Sequence, residues 1–335
     1  MVEDFLDDLR KPDEKVLEKQ AKKIVEKYKK NNPDWKNIPD YYLAAGHNHF
    51  SPSQVNLPLD VWLHNYVFRD QEWRRTAKIP NPNMTAGNAT QGFYNKKTKE
   101  SSGLSSYVFT GASKEHASQS GIESYKKNKV LYAGEELDRF NKNLEVMGAC
   151  INNGIRALDE IDIRKEKDLT TELYCEHFFP GIEITTIGRT DLMATSKYLV
   201  ELKTKWHTKK LQKGYIPKGE PDFNYLCQVA FYWKATGLEP ILIYHTGMPV
   251  VDRKTKKTNN EYKIFSKENC EQLTPAAMEE YLEHCRAVLT VRQNLLKISS
   301  DPKVLAQHVQ PDFNSFYWND LNEEQLREAK ELWGM

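Results

Sequence analysis

The chain has 335 residues, 39% hydrophobic and 28% charged, enough for one large domain or two smaller ones. Lys and Arg total 48 against 47 Asp and Glu, so a net charge of +1 gives no basic body that would by itself mark a nucleic-acid binder. No apolar run is long enough for a membrane span and the acidic start MVEDFLDDLRK has no apolar stretch of a secretory signal, so no membrane association and a cytoplasmic location are expected.

Lys11 to Lys30 reads as a helix, with Leu17, Ala21, Ile24 and Tyr28 at helical spacing and Pro33 just past its end. Ser51-Pro52 reads as a helix start leading to Val55, Leu59 and Trp62, with Pro58 placed to bend it. Met84 to Tyr94 reads as a turn leading into a helix. Lys96 to Lys129, rich in Ser, Gly and Lys and weakly periodic, is expected to be a loop or insertion, bounded at 96–130. Glu135 to Ile161 is a long helix with Leu137, Phe140, Leu144, Met147, Ile151, Ile155 and Leu158 as its buried stripe. Thr170–Phe179, Ile182–Ala194 and Leu199–Lys205 read as strands, and Asn224–Thr236 as a helix stopped by Gly237. Pro240–Thr246 is an apolar strand, Val251–Phe265 a hairpin arm, Pro275–Ile298 a helix and Leu321–Trp333 a short amphipathic helix. This order argues an α/β fold with a mixed central β-sheet flanked by helices, plus an N-terminal helical region. The expected divisions are a helical extension over 1–45, a main domain over 46–298 and a tail over 299–335.

The densest chemistry lies in GRTDLMATSKYLVELKTK, Gly188 to Lys205. Within a strand, Glu201 and Lys203 share one face while Val200 and Leu202 share the other. Thr195-Ser196-Lys197 is polar and turn-like, so the two strands are expected to pair as a hairpin that brings Asp191 beside Glu201. Two acids and a lysine on one face are costly to desolvate without a partner, and a divalent cation is such a partner. The same residues on a solvated edge hairpin are the alternative. Further along, Gln228 and Tyr232 stand four apart and share a helix face; a polar edge of a half-buried helix is their alternative.

Taken together these segments resemble the PD-(D/E)XK nucleases, in particular the RecB-type exonuclease branch. Its G-x-x-D strand is matched by Gly188-Arg189-Thr190-Asp191, its (D/E)-x-K strand by Glu201-Leu202-Lys203, and its Q-x-x-x-Y helix by Gln228 to Tyr232. SPSQVN at Ser51 to Asn56, with Trp62 and Tyr66, is similar to the opening of that branch. The resemblance covers roughly Ser51 to Tyr244 and implies a restriction-endonuclease-like core. One departure stands out. Gln91 in Gly87-Asn88-Ala89-Thr90-Gln91 occupies the place of the branch's histidine, and glutamine is a poorer metal ligand. An alternative alignment through Gly111 and His116 has the wrong spacing.

The resemblance implies a metal-dependent DNA exonuclease of recombination, repair, replication or phage DNA processing, using Mg²⁺ or Mn²⁺ as a pair of ions. A structure-selective endonuclease and an inactive nucleic-acid-binding module are the alternatives. Asp191, Glu201, Lys203, Gln228 and Tyr232 would be the catalytic residues, with Asp191, Glu201 and the carbonyl of Leu202 on the metal and Gln91 as an accessory. An upstream acid would complete the metal set, Glu172 or alternatively Glu176, read as sharing one strand face. DNA ends would be the partner, with a recombinase, helicase or single-strand-binding protein as protein partners in a bacterial or phage-infected cytoplasm. Some relatives carry an iron–sulfur cluster on one early and three late cysteines. This chain has Cys150, Cys175, Cys227, Cys270 and Cys285 with no CxxC, so no cluster is expected and free thiols are.

Overall fold

The structure is a computed structural model that describes residues 14–68, 81–206, 216–217, 219–248, 261–318, 321 and 323–335. Most of the expected Val251–Phe265 hairpin arm and the first three residues of the expected Lys11–Lys30 helix lie outside these residues. The chain divides into two compact units, one of Met1–Lys78, Glu176–Ile187 and His284–Met335, the other of Ile79–Cys175 and Gly188–Glu283. The expected divisions at 45/46 and 298/299 both fall within the first unit.

The first unit opens with helices α1 (Glu14–Asn31), α2 (Asp40–Ala44) and α3 (Leu59–Trp62). Ser51-Pro52 does not begin a long helix. Pro52–Gln54 forms a single 3-10 turn, Ser51 Oγ bonds Ser53 Oγ at 3.0 Å and caps nothing, and Pro58 stands immediately before α3. A proline has no N–H to continue the helical ladder, so the chain restarts there. Arg292 is 1% exposed, its guanidinium lying over the Trp62 ring at 4.9 Å. Its Nη2 donates to the carbonyls of Gln54, Val55 and Leu57 at 2.8, 3.1 and 3.1 Å, which ties this irregular stretch to the core.

The second unit holds helices α4 (Pro82–Gln91), α5 (Gly103–Thr110), α6 (Lys114–Lys126), α7 (Gly134–Glu160) and α8 (Phe223–Thr236). The strands are β1 (Leu169–Thr171), β2 (Tyr174–His177), β3 (Thr186–Arg189), β4 (Leu192–Ala194), β5 (Tyr198–Thr204), β6 (Glu239–His245) and β7 (Tyr262–Phe265). Five of them form a mixed sheet in the order β1-β4-β5-β6-β7, and β2 and β3 form a two-stranded sheet through which the chain passes between the units. Within the five-stranded sheet β5 and β6 run parallel, joined through α8, and β1–β4, β4–β5 and β6–β7 are antiparallel. A parallel pair needs such a crossover, while the β4–β5 pair closes through a tight turn. On one face Val200, Leu202 and Ile243 pack with α4 to α7 through Ala86, Leu104, Met147 and Ile151. On the other, Leu242 and Tyr244 pack with Leu226 and Val229 of α8. The architecture is thus mixed α/β, with a central sheet flanked by helices and an N-terminal helical region.

Two expectations fail in this unit for identifiable reasons. Met84 to Gln91 is not a turn before a helix; it is α4 itself, with Pro82 at its start and Asn81 Oδ1 accepting from the N–H groups of Asn83 and Met84 at 2.8 and 3.2 Å. Residues 96–130 are not a coreless loop. They contain α5 and α6, and Leu104, Tyr107, Ala117 and Tyr125 belong to the main core. Nearly every residue of α5 is buried, so no polar face exists to create a helical period, and small residues such as Ser105 and Ser106 stand in for the apolar ones that would reveal it.

The remaining helices are α9 (Pro275–Ile298), which leads from the second unit into the first, then α10 (Pro302–Ala306) and α11 (Glu323–Leu332). Val61, Trp318 and Ala329, with Phe313 and Trp333, form a core of the first unit. Among the described residues no helix is long and apolar enough to cross a membrane. All five cysteines are free and buried.

Candidate active site

The β4–β5 hairpin forms as its pattern demands. Leu192 pairs with Val200, Met193 with Leu199 and Ala194 with Tyr198, which sets Asp191 at the open end opposite Glu201. Asp191 itself lies in a break. The expected long strands are interrupted at Glu172–Leu173 and at Thr190–Asp191, giving β1/β4 on one side and β2/β3 on the other. Glu172 has φ of +50°, in the left-handed region that ends a strand, and this breaks the parity expected between Glu172 and Glu176. The Thr171 hydroxyl then donates to the carbonyl of Asp191 at 2.7 Å and steadies the break.

Asp191 Oδ2 accepts from the N–H of Leu202 at 2.7 Å. Glu201, 1% exposed, accepts from Lys203 Nζ on Oε1 at 2.5 Å, while its Oε2 is buried without a hydrogen-bond partner. Lys203 Nζ also donates to Gln228 Oε1 at 3.0 Å and lies over the Tyr225 ring at 4.4 Å. Gln228 Nε2 donates to the Tyr232 hydroxyl at 2.9 Å, which donates to the carbonyl of Arg189 at 2.5 Å. One chain of bonds therefore runs from Glu201 through Lys203, Gln228 and Tyr232 to the strand that leads into Asp191. Sequence reading missed Tyr225, three residues before Gln228 and so on the same face of α8, a spacing that would have found it. The Arg189 side chain stays out of this chain; its guanidinium stacks on Tyr174 at 4.4 Å and bonds the Tyr174 hydroxyl.

Gln91, at the end of α4, donates through Nε2 to the carbonyl of Leu202 at 3.5 Å. Gln91, Glu172, Asp191 and Leu202 line one cleft, together with Leu104 and Ser105 of α5. Glu176 is exposed, lies in β2 and belongs to the other unit.

Burial raises the Asp191 carboxyl above the usual carboxylate range, against the pull of Lys203, the Leu202 N–H and Gln91, and Glu172 raises it further. Burial and then the charge of Asp191 push Glu201 up to about 8. Burial alone would lower the Lys203 ammonium, but Glu201 and Asp191 together outweigh it and its pKa rises. Burial, then Glu201, holds the Tyr232 phenol high, so it acts as a neutral donor.

Two buried carboxyls, Asp191 raising Glu201, a backbone carbonyl and a buried carboxylate oxygen without a donor are a set of hard oxygen ligands. That chemistry fits Mg²⁺ or Mn²⁺. Among the described residues no group of three or more His, Cys, Asp or Glu side chains is gathered for a metal, so the fit rests on the Asp191–Glu201 pair with the Leu202 carbonyl.

No family model and no curated protein matches the chain. Among solved structures it is similar to the "Putative exonuclease" of Eubacterium rectale, with 16% identity over 70% of this chain and 89% of that one and a TM-score of 0.31. It is also similar to the crystal structure of SSO0001, with 17% identity over 49% of this chain and 72% of that one and a TM-score of 0.22.

Proposed function

We propose that the chain is a metal-dependent deoxyribonuclease that hydrolyses phosphodiester bonds from DNA ends. The observation that carries this reading is the desolvated Asp191–Glu201 pair, bound to a lysine that Gln228 and Tyr232 hold in place. Asp191, Glu201 and the carbonyl of Leu202 would hold Mg²⁺ or Mn²⁺, with Glu172 at the cleft as a further oxygen donor. When bound, a divalent cation neutralises phosphate charge and eases ionisation of the attacking water. Lys203, kept positive by its two acidic neighbours, supplies the fixed charge that stabilises negative charge developing on the phosphate. Gln228 and Tyr225 restrict where its ammonium can point, which is the preorganisation such stabilisation requires. The choice of exonuclease over endonuclease rests on the likeness of Gln228 and Tyr232 to the RecB-type helix.

Purified protein with Mg²⁺ or Mn²⁺ is expected to degrade end-labelled linear DNA and to spare covalently closed circles. Asp191→Asn and Lys203→Ala are each expected to lower the rate by about 10²–10³-fold with the fold retained by circular dichroism, Lys203→Ala melting lower because Glu201 and Gln228 lose a buried donor. Cleavage of circles would replace the exonuclease by an endonuclease. Wild-type rates in both variants would refute the site, and DNA binding without turnover in the wild type would leave only a binding module.

A further inference from the structure

On the DNA substrate proposed above, we infer that the turn from Phe93 to Ser101 is a rigid, basic finger that grips a single DNA strand at the mouth of the cleft. Both of its ends are built into the cleft wall. Gln91 and Gly92 enter it, Leu104 and Ser105 leave it, and all four line the cleft with Asp191. Between them the chain carries FYNKKTKES, with Lys96, Lys97 and Lys99 exposed and Phe93 53% exposed. Among the described residues none of these three lysines forms an ion pair, unlike Lys203 or Lys205 deeper in the unit. Three unpaired cations on one short turn form a footprint for phosphates, and an exposed aromatic ring beside them offers a face for a base.

The turn is held in shape before any ligand arrives. Asn95 N–H donates to the carbonyl of Glu100 at 2.9 Å, and Lys99 N–H to the carbonyl of Asn95 at 2.8 Å. Asn95 Oδ1 accepts from the N–H groups of Lys97 and Thr98 at 3.0 and 3.2 Å, closing the turn on its own side chain. Tyr94 bridges to Ser101 and stacks flat on Phe109 of α5 at 4.6 Å, which anchors the base of the finger and leaves Phe93 outside. A surface turn that existed only to connect α4 and α5 would need neither the exposed ring nor the unpaired charge.

Binding of a fluorescein-labelled single-stranded oligonucleotide, followed by anisotropy in EDTA over a range of salt, tests this. Lys96→Gln/Lys97→Gln/Lys99→Gln is expected to weaken binding about tenfold or more near 0.1 M salt and to lower the slope of log Kd against log salt by about 2. Phe93→Ala is expected to weaken binding to a single strand about tenfold and to leave the salt slope unchanged. The matched variant Lys127→Gln/Lys129→Gln/Lys142→Gln removes the same charge elsewhere in the unit and is expected to bind like wild type. If the finger variant keeps the wild-type affinity and slope, or the matched variant loses as much, the finger is overturned while the nuclease reading stands. If the wild type binds no single strand in EDTA, the finger is overturned, and the nuclease reading stands or falls on cleavage of linear DNA with Mg²⁺ or Mn²⁺.

Discussion

Tyr232 shows how much of the proposed chemistry hangs on a single hydroxyl. It accepts from Gln228 and donates to the backbone of β3, and its ring is 2% exposed. Tyr232→Phe keeps the ring and leaves Gln228 Nε2 and the carbonyl of Arg189 without their partner, which costs about 1–3 kcal/mol when such groups are buried. The variant is expected to unfold at lower urea concentration than wild type and to cleave more slowly, because Gln228 no longer holds Lys203; equal midpoints and equal rates would refute the coupling. Asp191, Glu201, Lys203, Gln228 and Tyr232 were readable as residues because strand parity and helix spacing are local properties of the chain, and the structure brings all five together. Glu172 and Glu176 were not separable. Their parity held only for an unbroken strand, and the left-handed backbone at Glu172 has no signature in a residue that is neither Gly nor Asn.

At the scale of elements, the candidate site is assembled because β5 is shared between two packing partners. Val200 and Leu202 turn toward α4 to α7, and Glu201 and Lys203 turn toward α8. The long periodic elements α7, α8, β6 and α9 were legible nearly to the residue; α5 and α6 were not, since burial of nearly all of α5 erases its pattern and the buried side of α6 is built from the small residues Ala117, Ser118 and Gly121 beside Tyr125. The same close packing fixes the far end of β6. A Cβ on Gly247 would lie 2.0 Å from the carbonyl oxygen of Val146 and 2.7 Å from the N–H nitrogen of Cys150, both backbone atoms of α7. Backbone of a central helix cannot step aside, so Gly247→Ala is expected to destabilise the unit by about 1–3 kcal/mol or more, in the range of core overpacking. A melting temperature equal to wild type would show that the loop after β6 can move away from α7.

Across the whole molecule, the first unit is assembled from three segments distant in sequence, and no local pattern announces which distant segments will share a core. Stability against pH is a whole-molecule property that specific buried groups make predictable. His245 is 0% exposed, its Nδ1 lies 3.0 Å from the carbonyl of Cys150, and burial pushes it from 6.5 down to about 4. The unfolded chain therefore binds more protons than the folded one between these values, so the contribution of His245 is complete above about 6.5 and is lost as the pH falls toward 4, a change of about 3 kcal/mol. Glu201 acts in the opposite sense. Its carboxyl rises from 4.5 to about 8 on folding, so its contribution is complete below about 4.5 and is lost as the pH rises through 8. The two slopes overlap between about 4.5 and 6.5 and offset each other there in the wild type, so a single pH profile would not isolate the histidine. Subtracting the profile of His245→Asn, whose amide can still donate to the Cys150 carbonyl, isolates the histidine. In metal-free urea unfolding, the stability of the wild type relative to this variant is expected to fall by about 3 kcal/mol between pH 7 and pH 4, and parallel profiles would show that His245 is protonated inside the fold as readily as outside it.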